Sequence, residues 1–235
     1  MNFIEPEKIE RIALRDFTSY KDKKDIIKVN FPLDPEDIFY TLFGLTTRYI
    51  DFEKHGITSK DNAQLLGALY PEGFYFCDED KQILVNAKYD GIEDTELFPY
   101  LDQMQRFTIF HEGGHYALHV RPKKFQMSFF SSQHHHSRNQ PFVCRSDYII
   151  GKNYDPLEFQ ANRYGAAMLM PSMEVYNIVG RTNFVDLDRC GKDFKAYFGV
   201  SQKAMEKRLL DLGYRYINGK YDEIFKRKDY NANRK

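Results

Sequence analysis

The alternation of apolar and polar positions divides the chain into a weakly patterned start, a strand-rich middle and a helical second half. Residues 1 to about 30 are charged with little periodicity, and Lys21–Asp25 reads as a solvated helix end or loop. The first clear helix start is Asp34-Pro35-Glu36-Asp37. Asp34 can cap, Pro35 suits the first helical position, and the acids sit at the positive end of the helix dipole. Ile38, Leu42 and Leu45 supply its apolar stripe, and Thr46 to Phe52 is β-rich. Between Leu65 and Ala87 the pattern predicts a hairpin. One strand runs through Gly67–Tyr70 and Gly73–Cys77, interrupted by Pro71. Asp78–Lys81 makes a polar turn, and Gln82–Asn86 forms the other strand.

From Glu96 to about Val120 the spacing is helical, with Phe107, Phe110, Gly114 and Ala117 on one face. Gly113 and Gly114 in mid-helix each cost about 1 kcal/mol against Ala. The local reason to accept that is room for a close-packed neighbour, a metal or a substrate. Residues 121 to about 155 read as a long irregular loop, a length that often marks a functional lid. Pro156 opens and Pro171 stops a second helix, whose small residues at 165 to 167 permit close packing. Further helices are predicted from Ser172 to Gly180, from Val185 to about Phe198, and from Gln202 to Leu212, the last capped by Ser201 and stopped by Gly213. A basic, Tyr-rich tail from about Asn218 is expected to be loosely ordered.

These elements predict an α+β protein, mainly helical, with a small antiparallel sheet beside the helix at 96–120. The expected organisation is an N-terminal extension at 1–30, a main domain at 31–180 containing the loop 121–155, a helical segment at 181–217 packed on it, and the tail at 218–235.

Composition narrows the class. With 42% hydrophobic residues in 235, the chain can bury a sizeable core. Lys and Arg (34) balance Asp and Glu (34), so no global charge points to nucleic acid or a membrane surface. The balance is uneven in detail, because residues 191–235 carry twelve Lys/Arg against six Asp/Glu. Three scattered cysteines without a CxxC pair point to a reducing compartment. The N-terminal residues have no apolar signal core, and no run approaches the roughly 20 apolar residues of a membrane span. The expectation is a cytoplasmic protein with no membrane partner.

The candidate chemistry lies in His111-Glu112-Gly113-Gly114-His115. Histidines four apart lie one above the other on a helix, the spacing that brings two imidazole nitrogens to one Zn²⁺ at about 2.0–2.1 Å. Glu112, beside the metal, can take a proton from water. A catalytic zinc needs a third protein ligand, and Glu158, at the start of the second helix, is the best candidate. The bland alternative is a Glu favoured by the helix dipole. Asn162, one turn on, could hydrogen-bond the free ring nitrogen of a ligating histidine. An oxyanion stabiliser is also required, with His119, Tyr116, Tyr164 and His134–His136 all open. His119, two turns from His111, could touch the residues that ligate the zinc or could equally be a surface residue at the helix end, and His134-His135-His136 reads better as a polar loop than as a second metal site.

Two stretches together, Phe107-Thr-Ile-Phe-His-Glu-Gly-Gly-His-Tyr-Ala-Leu-His119 and Glu158-Phe-Gln-Ala-Asn-Arg-Tyr-Gly-Ala-Ala-Met-Leu-Met-Pro171, resemble the ImmA/IrrE metallopeptidases. The resemblance extends more loosely from Phe31 to Tyr214. It implies a zincin-like fold, Zn²⁺ held by His111, His115 and Glu158, Glu112 as catalytic base, and Asn162 at the family's Asn position. It also implies a bacterial or phage-encoded anti-repressor whose substrate is a helix-turn-helix repressor. Gly113 and Gly165 depart from the usual bulkier or Ala residues, which would loosen the packing, and the 122–154 loop is longer than usual. The alternative is a non-proteolytic module that sequesters a repressor or contacts DNA. Residues 196–213 do resemble a helix-turn-helix, but without a base-reading set they read better as a packed helix pair, and direct nucleic-acid binding is not expected.

Overall fold

A computed structural model describes residues 3–58, 65–71, 81–89, 98–121, 142–145, 155–179, 184–186, 193–194, 196–217 and 220–223. The chain forms two compact units, Met1–Leu169 and Met170–Lys235. The α+β class expected from the sequence is what is observed.

The first unit opens with α1 (Pro6–Lys24), where only a weak pattern was expected. Ile9, Ala13, Phe17 and Tyr20 are buried at helical spacing. Charged residues fill the positions between them, which masks the stripe in the sequence. In α2 (Pro35–Phe43) the Asp34 side chain accepts from the backbone N–H of Glu36 (2.9 Å) and Asp37 (3.4 Å), so the expected cap is present. Gly44, at φ +67°, ends the helix in the left-handed region that glycine adopts without strain.

The strands β1 (Thr46–Ile50), β2 (Leu65–Tyr70), β3 (Gln82–Asn86) and β4 (Phe142–Arg145) form one sheet in the order β1-β3-β2-β4. The expected β2–β3 hairpin pairing is antiparallel, with Gly67 opposite Val85. The sheet as a whole is mixed rather than antiparallel. β1 is not joined to β3 directly, and β3 enters between β1 and β2 and pairs parallel to β1, Thr46 beside Gln82. β4 lies within the stretch read as an irregular loop and pairs antiparallel with β2. The proposed strand portion at 73–77 and most of the 122–154 loop lie outside the described residues. Phe52, Leu65, Ala68 and Leu84 form an apolar cluster on this sheet. Buried Asn86 of β3 ties β2 to the segment after β1, donating to Leu65 O (2.9 Å) and accepting from Phe52 N–H (3.4 Å).

Helix α3 (Phe98–His115) lies on the sheet and continues into a π-helical turn, Tyr116–Val120. Its main helical neighbour is α4 (Pro156–Leu169). The glycines explain that contact. A Cβ on Gly114 would stand 2.9 Å from Ala161 O and 3.2 Å from Ala161 Cα, and one on Gly165 would stand 3.2 Å from His111 N and from Phe110 C. The two helices therefore meet backbone to backbone, each with a glycine where a side chain would hold them apart. Gly113 faces the ring of Phe39, which occupies the space a Cβ would need. Gly113 and Gly165 thus do not loosen the packing, as their departure from the family pattern suggested; they permit it to be tight.

The second unit contains α5 (Ser172–Val179), β5 (Phe184–Asp186), α6 (Gln202–Asp211), β6 (Tyr214–Ile217) and β7 (Lys220–Glu223). Ser201 Oγ caps α6 by accepting from Ala204 N–H (3.2 Å), and Gly213 turns the chain at φ +92°. Two expectations are met only in part. The helix foreseen from Val185 to about Phe198 opens as β5 and is helical only at 193–194 and 196–198 among the described residues, and the tail foreseen from Asn218 as loosely ordered contains β7, the rest of it lying outside the described residues. The reason is shared: β7 pairs with both β5 and β6, so each segment gains a ladder that local propensity does not encode. Arg208 is fully buried in α6, its Nε donating to Met170 O (2.9 Å). No helix among the described residues is long and apolar enough to cross a membrane.

Candidate metal centre

Helix α3 carries His111, Glu112 and His115, each fully buried. Their helical spacing turns both imidazoles toward α4, and the ring nitrogens His111 Nε2 and His115 Nε2 lie 3.0 Å apart. Glu158, in the first turn of α4, faces the same point. Its Oε2 is 3.1 Å from His111 Nε2 and its Oε1 3.2 Å from His115 Nε2. One ligand atom from each of the three lies within 4.8 Å of the others. The close helix crossing at Gly114 and Gly165 makes this convergence possible.

The electrostatics favour the ligating forms. Burial pushes the Glu158 carboxyl up, but hydrogen bonds from His111 and His115 outweigh it and hold the group well below the usual carboxylate range. Burial also drives His115 toward the neutral imidazole, against the pull of Glu158. A carboxylate facing two imidazole nitrogens is a donor set of the kind zinc takes, and the surrounding hydrogen bonds aim it. His111 Nδ1 donates to Asn162 Oδ1 at 2.9 Å. His115 Nδ1 lies 3.2 Å from His119 Nδ1, and His119 Nε2 lies 3.2 Å from Gln160 Oε1. The residues present therefore fit a divalent ion with nitrogen and oxygen ligands.

Glu112 lies against β2. A Cβ on Gly67 would stand 3.3 Å from Glu112 Oε1 and would collide with the Thr108 methyl. The missing side chain at 67 leaves the space in which the Glu112 carboxylate rests. Gly67 was not singled out from the sequence, although a glycine inside a strand pattern signals a close approach of this kind.

The other candidates fall differently. Tyr164, one of the possible oxyanion stabilisers, is fully buried and its Oη donates to Asp16 Oδ2 (3.0 Å), so its hydroxyl is committed elsewhere. Tyr116 is buried against the Phe43 ring (5.3 Å between centroids), with Lys81 Nζ over its own ring. His119 is not a surface residue, being only 8% exposed and in contact with His115. Gln160, wholly buried behind it, carried no signal in the sequence. His134–His136 lie outside the described residues.

Residues 102–210 match the family model described as Peptidase_M78, IrrE N-terminal-like domain. No curated protein matches the chain. The matched span includes both helices that build the histidine–glutamate cluster, and the two findings together support a metallopeptidase-type function. Over residues 102–210 the chain is similar to the IrrE N-terminal-like peptidases, the resemblance that the paired motifs carried.

Proposed function

We propose that this protein is a zinc-dependent endopeptidase that hydrolyses a peptide bond in a protein partner, a helix-turn-helix repressor, in the cytoplasm. The observation that carries the reading is the convergence of His111 Nε2, His115 Nε2 and the Glu158 carboxylate, with Glu112 buried beside them. Zn²⁺ bound by these three residues supplies Lewis acidity toward a substrate carbonyl and toward water. The chain's own residues do the rest. Asn162 fixes the ring of His111 by accepting from its Nδ1. Glu112 accepts a proton from the attacking water and returns it to the leaving amine. The Gly67 backbone under Glu112 leaves its carboxylate room to do so.

The repressor rests on the likeness to anti-repressor peptidases in the two motif helices. Helix-turn-helix repressors are folded proteins, and an endopeptidase acts on them at an internal loop or linker rather than at a terminus.

The test is Glu112→Gln. It keeps the shape of the side chain and removes the base, so zinc content should stay stoichiometric while cleavage falls about 10²–10⁴-fold. Purified chain is incubated with the repressor encoded beside its gene, with and without a chelator, and the products are read by mass spectrometry. Undiminished cleavage by the zinc-loaded Gln variant would rule out the peptidase mechanism. Chelator-insensitive cleavage would rule out the metal.

A further inference from the structure

Behind the proposed ligands, hydrogen bonds run from His115 through His119 to Gln160, and no role has yet been given to the last two. Resting on the metal-site reading above, we propose that His119 is a positioning residue that fixes His115 in its ligating tautomer, with Gln160 setting the direction of the chain.

His115 Nε2 is the nitrogen turned toward His111 and Glu158. A neutral imidazole has one N–H and one lone pair. If Nε2 gives its lone pair to a metal, Nδ1 must carry the hydrogen. Across the 3.2 Å contact, His119 Nδ1 must then accept. His119 therefore carries its own hydrogen on Nε2, 3.2 Å from Gln160 Oε1. An amide oxygen only accepts, so this contact is satisfied in the same direction. Every link has one donor and one acceptor. The reverse order would place a hydrogen on His115 Nε2, where the metal binds.

Three further observations agree. His115 and Gln160 are fully buried and His119 nearly so, which leaves little room for water to replace a missing partner. His119 sits inside the π-helical turn Tyr116–Val120, closed by the Arg121 N–H reaching back to Tyr116 O. A π turn changes the angular step along the helix and recurs at functional sites, and here it carries the residue that meets the back of His115. Finally, His111 has a comparable support in Asn162. Each ligating histidine is thus held from behind by a residue of α4, directly by Asn162 and through His119 by Gln160. His119 is not a fourth ligand of the same ion, because its two nitrogens face the back of His115 and Gln160 rather than Glu158.

Two variants of the full chain separate this role from simple packing. His119→Leu keeps bulk and removes the acceptor; His119→Asn places an amide oxygen near the position of Nδ1. Zn²⁺ affinity is measured by competition with a chromophoric chelator, with folding checked by circular dichroism. His119→Leu should bind about 10–100-fold more weakly than the unmodified chain, and His119→Asn should recover to within about threefold. Imidazole ¹⁵N spectra of the zinc-loaded unmodified chain should show His119 as the Nε2–H tautomer.

The proposal is overturned if His119→Leu binds as the unmodified chain does, if folded His119→Asn binds as weakly as His119→Leu, or if His119 carries its hydrogen on Nδ1. Should His119→Leu fail to fold, the affinity of His119→Asn and the tautomer decide. An unmodified chain that binds no Zn²⁺ removes the metallopeptidase reading and this proposal with it; an unmodified chain that binds, beside a His119→Leu that binds equally, removes this proposal alone.

Discussion

Helix α4 contributes a side chain to each of two buried polar clusters in the first unit: Tyr164 to one, Glu158 to the other. The first is centred on Asp16 of α1, only 2% exposed. Its carboxylate accepts from Tyr164 Oη (3.0 Å), Arg121 Nη1 (3.2 Å) and Arg15 Nη2 (3.2 Å). Anion and donors are all supplied by the chain, and Arg121 also lies over the Phe43 ring. The second brings the Glu158 carboxylate against His111 and His115, whose outer nitrogens are already engaged with Asn162 and His119. Here the carboxylate is held ionised while burial favours neutral His115, so His115 does not balance its charge. Both clusters are buried and hydrogen-bonded. The difference is that one joins a carboxylate to two arginines and a tyrosine, while the other offers three atoms that could hold a cation. Burial and hydrogen bonding alone do not separate a structural cluster from a functional one; the charge balance among the facing atoms does.

The sharpest way to break that contrast is Glu158→Ala. Removing a ligand should weaken Zn²⁺ binding by more than about 100-fold, beyond the loss expected for a supporting residue. The metal-free protein should change little in melting temperature, because relief of a buried charge offsets the loss of its hydrogen bonds to His111 and His115. Metal analysis and calorimetry read the two effects. Stoichiometric zinc in this variant would sink the ligand assignment.

Asp16→Ala should do the opposite. It leaves the buried Tyr164 hydroxyl and Arg121 without their acceptor, a cost of about 2–3 kcal/mol, with part of the Arg121 loss made up by water because that side chain is partly exposed. The melting temperature should fall by about 5–10 °C. Zinc affinity of the folded protein should stay within a few-fold. A variant that loses zinc without losing stability would mean that the two clusters are not distinct in kind.

Gly114→Ala should damage both clusters at once. Its Cβ would meet the Ala161 carbonyl at 2.9 Å and Tyr164 Cδ1 at 3.2 Å, so α3 and α4 must separate. Overpacking costs about 1–3 kcal/mol, against a gain of about 1 kcal/mol in helix propensity. A lower melting temperature together with weaker zinc binding is expected; a higher melting temperature would show that the crossing has slack.

How much of this was legible in the sequence differs between the clusters for a physical reason. The metal cluster is written mostly in local spacing. His111 and His115 are one helical turn apart, and Glu158 and Asn162 repeat that interval on α4, so periodicity alone puts each pair on one face. The Asp16 cluster joins residues 105 and 148 positions apart, and nothing near Asp16 announces its partners. The same holds for the fold. The cap at Asp34 and the stop at Gly213 are local and were readable. The parallel β1–β3 pairing and the β5–β7 ladder depend on partners far along the chain and were not. His119 and Gln160 fall between these cases. The histidine was visible, but its direction depends on a π turn and on a glutamine from another helix.

The smallest effect belongs to Tyr164→Phe, and its pH dependence gives it a distinct signature. Near neutral pH the variant loses one hydrogen bond while Asp16 keeps both arginines, so the cost should be about 1 kcal/mol. Burial, followed by the nearby Asp16 charge, pushes the Tyr164 hydroxyl well above its ordinary pKa. In the unfolded chain the same hydroxyl ionises near about 10. Above that pH the unfolded state has lost a proton that the folded state retains, so the stability contributed by this group falls as pH rises, by up to about 1.4 kcal/mol per unit. Phe has no such proton. The stability gap between the two proteins should therefore narrow from pH 9 to pH 11 and then reverse, measured by urea unfolding at each pH. A gap that stays constant over that interval would mean that the Tyr164 hydroxyl is not sealed against Asp16, and that this cluster is less complete than its hydrogen bonds imply.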